Sequence, residues 1–565
     1  MINEKNRKVF VSLFIIVIIL VNFVVFSPSF FHVARADQIT YLIETANIDH
    51  LSDLAGYSFS YPRHRLIGVG DQILFRPILF LFVALEKWLF GLNFTYWQIT
   101  GFLLHLCILW RLQRIFSVLS PSWISFLFIL NFSVCYLSQE MVIWHGINGY
   151  LLFLIFFLEG FYQFVLYILR DQKEWHRLLA MVGYFTLSCF TYEFGAIASV
   201  LFVIFFLINK KNTLLPIIYK RKQITLRVNN AVLLSIPPLV YFYISIVDYF
   251  ASVKTSSALI SMGGNVSFLK IIENFGQTFM WAASFGFLPY FFEINYFIPR
   301  LFLVPQQRNE FFNFSTWGVG YSMNVALFLL TLLLLVFSLF IFIRKRRRGE
   351  KAVEGDNARQ KILISSGIMA SLLFLAYLII ITLRASVHPA GAYQQISLYN
   401  FYITGLLLTI GLYCVFAVYY RRLTDCGKLF KILIITIFCI SISLNAVRSY
   451  QTNLAMKNLY SPWRIYVQRL AKFVKIHKDE GDFSYFLVWR QCDNFIVLDI
   501  GNQKTQLKGF VSDLLFSRYV KADNPKYYLV YFDKEGILSF EDKKAAYSYI
   551  NSKSEKEKKQ EILFW

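Results

Sequence analysis

The chain has 565 residues, of which 57% are hydrophobic, 19% aromatic and only 16% charged, with a mean hydropathy of +0.52. A soluble globular protein carries nearer a quarter charged residues, so an ordinary water-soluble domain is excluded and a polytopic membrane protein is expected. The formal net charge of +22 would point to nucleic acid in a soluble protein. Here the cations sit in short clusters between apolar runs, which the positive-inside rule explains, so no nucleic-acid partner is expected. The seven cysteines are scattered, with no CxxC pair and no Cys/His cluster, so neither a zinc site nor a disulfide framework is expected.

Lys5, Arg7 and Lys8 precede the first apolar run, 9–27, which places the N-terminus in the cytoplasm. That run ends without a convincing small-x-small cleavage site and reads as a retained span. The segment 28–96 then forms the first outer loop, with Asp37 soon after the span. Within it, "ILFRPILFLFVALEKWLFGL" carries Arg76 and Pro77 near its start and Glu86/Lys87 inside it. An ion pair in mid-bilayer is expensive, so this piece reads as a helix lying in the interface.

Further spans follow near 97–113, 122–141, 149–169, 178–195, 196–209 and 231–248. Pro237-Pro238 in the last of these is the one candidate helix break. A second outer segment, 249–322, contains "FLKIIENFGQTFMWAASFGFLPYFF", read as another juxtamembrane helix because of Lys270 and Glu273. The alternative is that both juxtamembrane pieces cross, adding two spans. Spans near 323–343, 361–383, 398–420 and 429–446 complete a set of about eleven. The run "RKRRRGEK" from Arg344 marks the cytoplasmic side most clearly. Arg111/Arg114, Arg170/Lys173/Arg177, Lys210 to Arg227 and Arg421/Arg422 are placed there too.

Beyond 446 the charge density rises, and "YFLVWRQCDNFIVLDI" and "KYYLVYFDKEGILSF" read as short strands. Residues 447–565 are therefore expected to form a small extracytoplasmic α/β domain after a transmembrane module, 1–446.

On this topology several polar groups gather at the outer face. They are Asp37, Arg76, the group Glu140, Trp144, His145 and Asn148 in "SQEMVIWHGINGY", Glu193 in "TYEFG", and Arg384 and His388 in "LRASVHPAGAYQQ". Ionisable groups at membrane depth are functional candidates by default. Each also has a structural reading. Asp37 caps a helix; Arg76 and Arg384 snorkel to headgroups; Glu140 and Glu193 cap or pair. His105, mid-span in "GFLLHLCILW", is better read as a helix-packing hydrogen bond than as a catalyst. Asn93, Asn131, Asn265 and Asn313 match the glycosylation sequon, which is short enough to occur by chance.

The stretch "DQILFRPILFLFVALEKWLFGLNFTYWQITGFLLHL" resembles membrane glycosyltransferases of the GT-C superfamily, in the protein O-mannosyltransferase-like and aminoarabinose-transferase-like branches. In those enzymes an acid follows the first span, Arg-Pro or Lys-Pro opens an interfacial helix, Phe-Gly ends it, and a span with a histidine or arginine follows. The matching positions are Asp37, Arg76-Pro77, Phe90-Gly91 and His105. "SQEMVIWHGINGYLL" and "TYEFGAI" resemble the family's next acidic elements. The likeness covers residues 9–200 and extends to the later spans by layout. Two features depart from it. Gln38 stands where the family often has a second acid, and "AYQQISLYNFYITG" lacks the family's Arg-Tyr step.

The resemblance implies an α-helical polytopic GT-C-like membrane protein of the bacterial inner membrane, with its active face extracytoplasmic. It implies an inverting glycosyltransferase that moves a sugar from a polyprenyl-phosphate donor to a hydroxyl of a glycan, lipid or protein. Asp37 would be the general base. Arg76 and Arg384, with His388, would stabilise the leaving phosphate. Glu140 and Glu193 would position sugar hydroxyls or orient the arginines. Trp144 would pack on a sugar ring, and His145 is a further substrate-binding candidate. No cofactor is firmly implied, and the single acid at Asp37 weakens the case for a divalent metal. The alternatives are an envelope polysaccharide polymerase or ligase, and a lipid-linked glycan transporter (a flippase). Transporters favour internal repeats and broken helices, and no repeat is evident.

Overall fold

The structure is a computed structural model. It describes residues 4–32, 52–54, 76–91, 93–120, 123–135, 139–144, 148–169, 175–209, 212–219, 222–253, 354–387, 400–425, 435–447, 483–488, 526–530 and 537–540. It also describes single positions or short groups at 269, 271–272, 275, 432, 449–451, 453–454, 457, 548 and 552. The second juxtamembrane piece (apart from four positions), the 323–343 span, Asp37, His145 and His388 lie outside the described residues.

The described chain is largely helical. Helix α1 runs over Glu4–Phe26 and ends in a 3₁₀ turn, Ser27–Phe31. It is followed by α2 (Pro77–Phe90), α3 (Phe94–Leu119), α4 (Ile124–Ser133), α5 (Gln139–Ile143), α6 (Asn148–Leu169), α7 (Trp175–Thr191) and α8 (Phe194–Asn209). A two-stranded antiparallel hairpin, β1 (Asn212–Tyr219) and β2 (Lys222–Asn229), leads into α9 (Asn230–Val253). Helices α10 (Glu354–Val387) and α11 (Asn400–Asp425) and a helical stretch over 435–447 follow. Five of the helical segments are long and apolar enough to cross a membrane: Ser12–Phe31, Phe94–Leu119, Asn148–Leu169, Asn230–Val247 and Ile362–Leu383. The chain is thus an integral membrane protein.

The outward and inward faces of these helices are set by lipid rather than water. On α1, Leu13, Ile16, Leu20, Phe23 and Val24 are exposed while Asn22 is buried. That is the reverse of a soluble amphipathic helix, because apolar side chains match a hydrocarbon solvent and a lone amide does not. The core between α6, α7 and α8 is a phenylalanine stack, in which Phe164 packs edge-on against Phe202 and Phe205.

One buried polar network ties four helices together. Asn22 of α1 donates to Ser133 Oγ of α4 at 2.9 Å. Its Oδ1 lies 3.2 Å from His105 Nε2 of α3, whose Nδ1 lies 2.6 Å from Tyr402 OH of α11. An amide oxygen only accepts, so Nε2 carries the proton and Nδ1 accepts from the tyrosine. His105 is a packing residue, as expected. Asn131 is also interior, and its Oδ1 accepts from Ser441 Oγ at 2.8 Å. The sequon there lies inside the bundle.

Several expectations need correction. The span placed at 122–141 is not one helix: α4 stops at Ser133, and the short α5 begins at Gln139. Ten residues rise roughly 15 Å, half of a hydrocarbon core. The basic segment Lys210 to Arg227 contains the β1–β2 hairpin, whose register pairs Tyr219 with Lys222. Pro237 and Pro238 lie inside a helix that runs through them unbroken, so the one candidate transporter-like break is absent.

Toward the C-terminus, Phe483–Val488, Lys526–Val530 and Ile537–Phe540 form a three-stranded sheet, its first pair parallel and its second antiparallel. Helical positions past 446 pack back on the first helix: Asn453 Nδ2 donates to Val25 O at 2.8 Å, and Lys457 Nζ lies 4.2 Å above the Phe31 ring. The end of α1 and the start of the C-terminal segment therefore lie at one end of the bundle.

Tyr402→Phe should leave His105 Nδ1 without its donor. The expected outcome is normal insertion with a loss of about 1–2 kcal/mol of stability, read by thermal unfolding in detergent.

Candidate functional site

Helix α2 begins at Arg76-Pro77 and ends at Phe90-Gly91, the boundaries that the two dipeptides suggest. Proline suits the first helical position because its missing N–H would be unpaired there anyway. Gly91 has φ 54°, the left-handed region that glycine tolerates. Along about 15 Å of α2, Arg76, Leu79 and Glu86 all meet the tip of α6, at Tyr150, Gly149 and Asn148. A contact so long on one helix and so short on the other requires a steep crossing. Helix α2 therefore lies across the end of the bundle.

Arg76 precedes the helix, and its guanidinium is almost wholly buried, at 2% exposure. Nε donates to Glu193 Oε2 at 2.7 Å and Nη2 to Glu193 Oε1 at 2.5 Å, a bidentate pair between positions 117 residues apart. Nη1 donates to Tyr150 OH at 2.7 Å. The cation also lies 4.8 Å from the centre of the Tyr192 ring. Burial works against the Arg76 charge, but Glu193, with Tyr150 and Tyr192, outweighs it and holds the guanidinium well above its ordinary pKa. All three nitrogens are engaged, which leaves the second hydrogens of Nη1 and Nη2. Glu193 is 29% exposed and forms the accessible side of the pair.

Glu193 reaches this place because of Gly195. The link from α7 to α8 folds back tightly, with Tyr192 N bonded to Ser188 O and Gly195 N to Tyr192 O. A Cβ on Gly195 would stand 2.5 Å from the Ser188 carbonyl carbon, so only glycine fits. The Glu-x-Gly spacing thus has a mechanical reason: glycine lets α8 start against the last turn of α7, and the acid projects at the bend.

Near the other end of α2, Glu86 is buried at 2% exposure. Asn148 Nδ2 donates to Glu86 Oε1 at 2.8 Å and to Trp97 O at 3.0 Å. Burial pushes the Glu86 carboxyl well above the usual carboxylate range, against the Asn148 hydrogen bond, which lowers it. The sequence reading set Glu86 against Lys87 as an ion pair. Both side chains are instead buried against protein, and neighbours in a helix do not face one another.

Of the expected site residues, Arg76 and Glu193 are brought together. Trp144 is 4% exposed and part of the hydrophobic core. Glu140 lies on α5 and Arg384 on α10, and only their backbone positions are described. Tyr377, two turns before Arg384, packs on Phe194 beside Glu193 with ring centroids 4.7 Å apart. Arg384 lies roughly 10 Å further along that helix, toward the end of the bundle that holds Arg76. Tyr150 and Tyr192 were not singled out from sequence. Their only signal was adjacency to an interfacial glycine and an acid. Among the described residues no group of three or more His, Cys, Asp or Glu side chains is placed to hold a metal ion.

No protein-family model and no curated protein matches this chain. Among solved structures, it is similar to ArnT from Cupriavidus metallidurans bound to undecaprenyl phosphate, at 12% identity. The match covers 92% of this chain and 93% of that one, with a TM-score of 0.39. A likeness at that score assigns neither family nor activity.

Glu86→Gln keeps the shape of a protonated carboxyl. Because burial raises the Glu86 pKa, its contribution to stability is full below the unfolded value of about 4.3 and is lost as pH rises through the folded value. The glutamine variant should therefore match the parent in acid and unfold at a higher temperature than the parent at alkaline pH. Thermal unfolding across pH in detergent reads the difference.

Proposed function

We propose that the chain is a membrane glycosyltransferase that moves a sugar from a polyprenyl-phosphate donor to a hydroxyl acceptor at the non-cytoplasmic face. The observation that carries the reading is the buried Arg76–Glu193 pair under Tyr150 and Tyr192. It joins the Arg-Pro element of the outer loop to the later Glu-x-Gly element, two of the elements that carry the GT-C resemblance.

In this reading the donor's isoprenoid stays in lipid and its phosphate comes to the end of the bundle. Arg76 supplies a cation whose direction Glu193 and Tyr150 hold before the substrate arrives, so little reorganisation is needed as charge grows on the leaving phosphate. Arg384, leaving α10 toward the same end, supplies the second cation. Asp37 takes the proton of the acceptor hydroxyl as that oxygen attacks the anomeric carbon from the face opposite the phosphate, and the configuration inverts. Glu140, His145 and His388 bind around the sugar and phosphate. Trp144, buried in the core, supports the wall of the site rather than stacking on a ring. In this reading the C-terminal segment, which starts at the same end, meets the acceptor.

The test is release of polyprenyl phosphate by the purified protein from a panel of polyprenyl-phosphate sugars, with membrane extract as the acceptor source. Asp37→Asn should lower turnover by about 10²–10⁴-fold while leaving the thermal unfolding unchanged. Near-normal turnover in that variant moves the base elsewhere. Inactivity of the parent across the whole panel removes the reading.

Arg76→Lys should lose donor affinity by about tenfold or more, because an ammonium cannot hold Glu193 and Tyr150 as the guanidinium does and still offer N–H groups to the phosphate. A headgroup-snorkelling arginine would tolerate lysine. Glu193→Ala should destabilise the fold by about 3–5 kcal/mol by leaving the buried Arg76 guanidinium without its anion, measured as a fall in unfolding temperature.

A further inference from the structure

A second charged cluster lies away from this site. Gln98 stands level with Asn148 at the tip, since its neighbour Trp97 O accepts from Asn148 Nδ2 and its own Nε2 donates to Val142 O of α5. Arg114 is roughly 24 Å further along α3. There Arg111 and Arg114 both pair with Glu159 of α6, Arg114 through Nη1 at 3.3 Å. Glu159 Oε1 is taken by Gln163 Nε2 at 3.0 Å. The Arg114 guanidinium lies 4.2 Å from the centre of the Tyr162 ring.

Two guanidiniums pair with one carboxylate, and a third, Arg177, reaches the cluster through Gln163 Oε1 at 3.4 Å, so positive charge is in excess over the one carboxylate among the described residues of the cluster. The carboxylate is innermost, at 5% exposure, and the guanidiniums are outermost, at 27% and 34%. The accessible side of the cluster is therefore cationic. Arg114 spends only Nη1 on Glu159, and its Nε and Nη2 have no hydrogen-bond partner among the described residues. Those two N–H groups form the planar edge that matches two oxygens of a phosphate. Cation–π contact with Tyr162 offsets only part of an unneutralised charge. Trp110, next to Arg111, is exposed, as indole rings are at the headgroup level. At that depth the anion at hand is a lipid phosphate.

We propose that Arg111 and Arg114 form a binding site for the phosphodiester of an anionic phospholipid, with the Nε/Nη2 edge of Arg114 as its main contact. The inference stands apart from the glycosyltransferase reading. Glu159 is the internal anion that competes with the lipid and keeps both arginines ordered in its absence.

The experiment is native mass spectrometry and thermal unfolding of the full-length protein in detergent. Phosphatidylglycerol, phosphatidylcholine or inorganic phosphate is added in turn, and retention is counted per folded protein. Phosphatidylglycerol should be retained and should raise the unfolding temperature above the level reached with phosphatidylcholine. Inorganic phosphate should not displace it. Arg114→Gln should weaken retention by about tenfold or more, the loss of one charge-assisted contact. Glu159→Gln leaves both cations in place and removes their competitor, so retention should rise. Equal retention of the two lipids, displacement by inorganic phosphate, or unchanged or weaker retention in Glu159→Gln would each overturn the proposal.

Discussion

A guanidinium taken out of water must find an anion, and the position of Arg76 sets much of what surrounds it. The helix that Arg76 opens lies across the tip of α6, so its charge points into protein rather than back to the headgroups. Glu193 meets it from a bend 117 residues later. That bend needs Gly195, and the flat approach of α2 needs Gly149, where a Cβ would stand 2.7 Å from Leu79. Two aromatic rings close the remaining sides. Removing Glu193 would strand the guanidinium in a dry place, which is why one ion pair holds a loop element, a bundle tip and an interhelical turn in register.

The same low dielectric organises the interior by another route. Between the two charged clusters the bundle has no use for ions and relies on short neutral contacts. Asn22, His105, Ser133 and Tyr402 close one network across four helices, and Asn131 and Ser441 another. Asn22, His105, Asn131 and Ser441 each find a partner on another helix, because within lipid an unsatisfied amide or hydroxyl has no water to fall back on. Phenylalanines, leucines and isoleucines fill the rest, and other leucines and isoleucines, such as Leu20, Leu103 and Ile208, face outward.

Local chemistry was legible in the sequence, and distance was not. Arg-Pro and Phe-Gly mark the two ends of α2 because proline and glycine act on the backbone where they stand. His105 was readable as a packing residue because a single imidazole in an apolar run has few other uses. The break after Ser133 was hidden, since "NFSVCYLSQE" stays apolar enough to look like a continuing span. The β1–β2 hairpin was hidden behind its charges, which drew attention to topology rather than to the Ile, Leu and Val residues beside them. Pairing was the least visible. Nothing in "TYEFG" names Arg76 as its partner, and Tyr150 is one tyrosine among 34. Asp37, the residue on which the proposed chemistry turns, remains an argument from sequence.

The two arginine–glutamate clusters use the same groups to opposite ends, and stoichiometry makes the difference. At the tip, one guanidinium faces one carboxylate, with the cation innermost. The pair is neutral as a whole, and the acid is the part a ligand in water would meet first. In the proposed function an incoming phosphate shares Arg76 with Glu193 through the remaining Nη1 and Nη2 hydrogens, a contact suited to substrates that arrive and leave. Near Arg114 the order is reversed. The carboxylate is innermost, the cations outnumber it, and the Nε/Nη2 edge of Arg114 has no partner among the described residues. In the proposed lipid site an anion meeting that edge gains the charge Glu159 leaves unbalanced, a contact suited to a lipid that stays. Burial order and charge count, more than residue type, thus separate a site poised for exchange from one poised for retention.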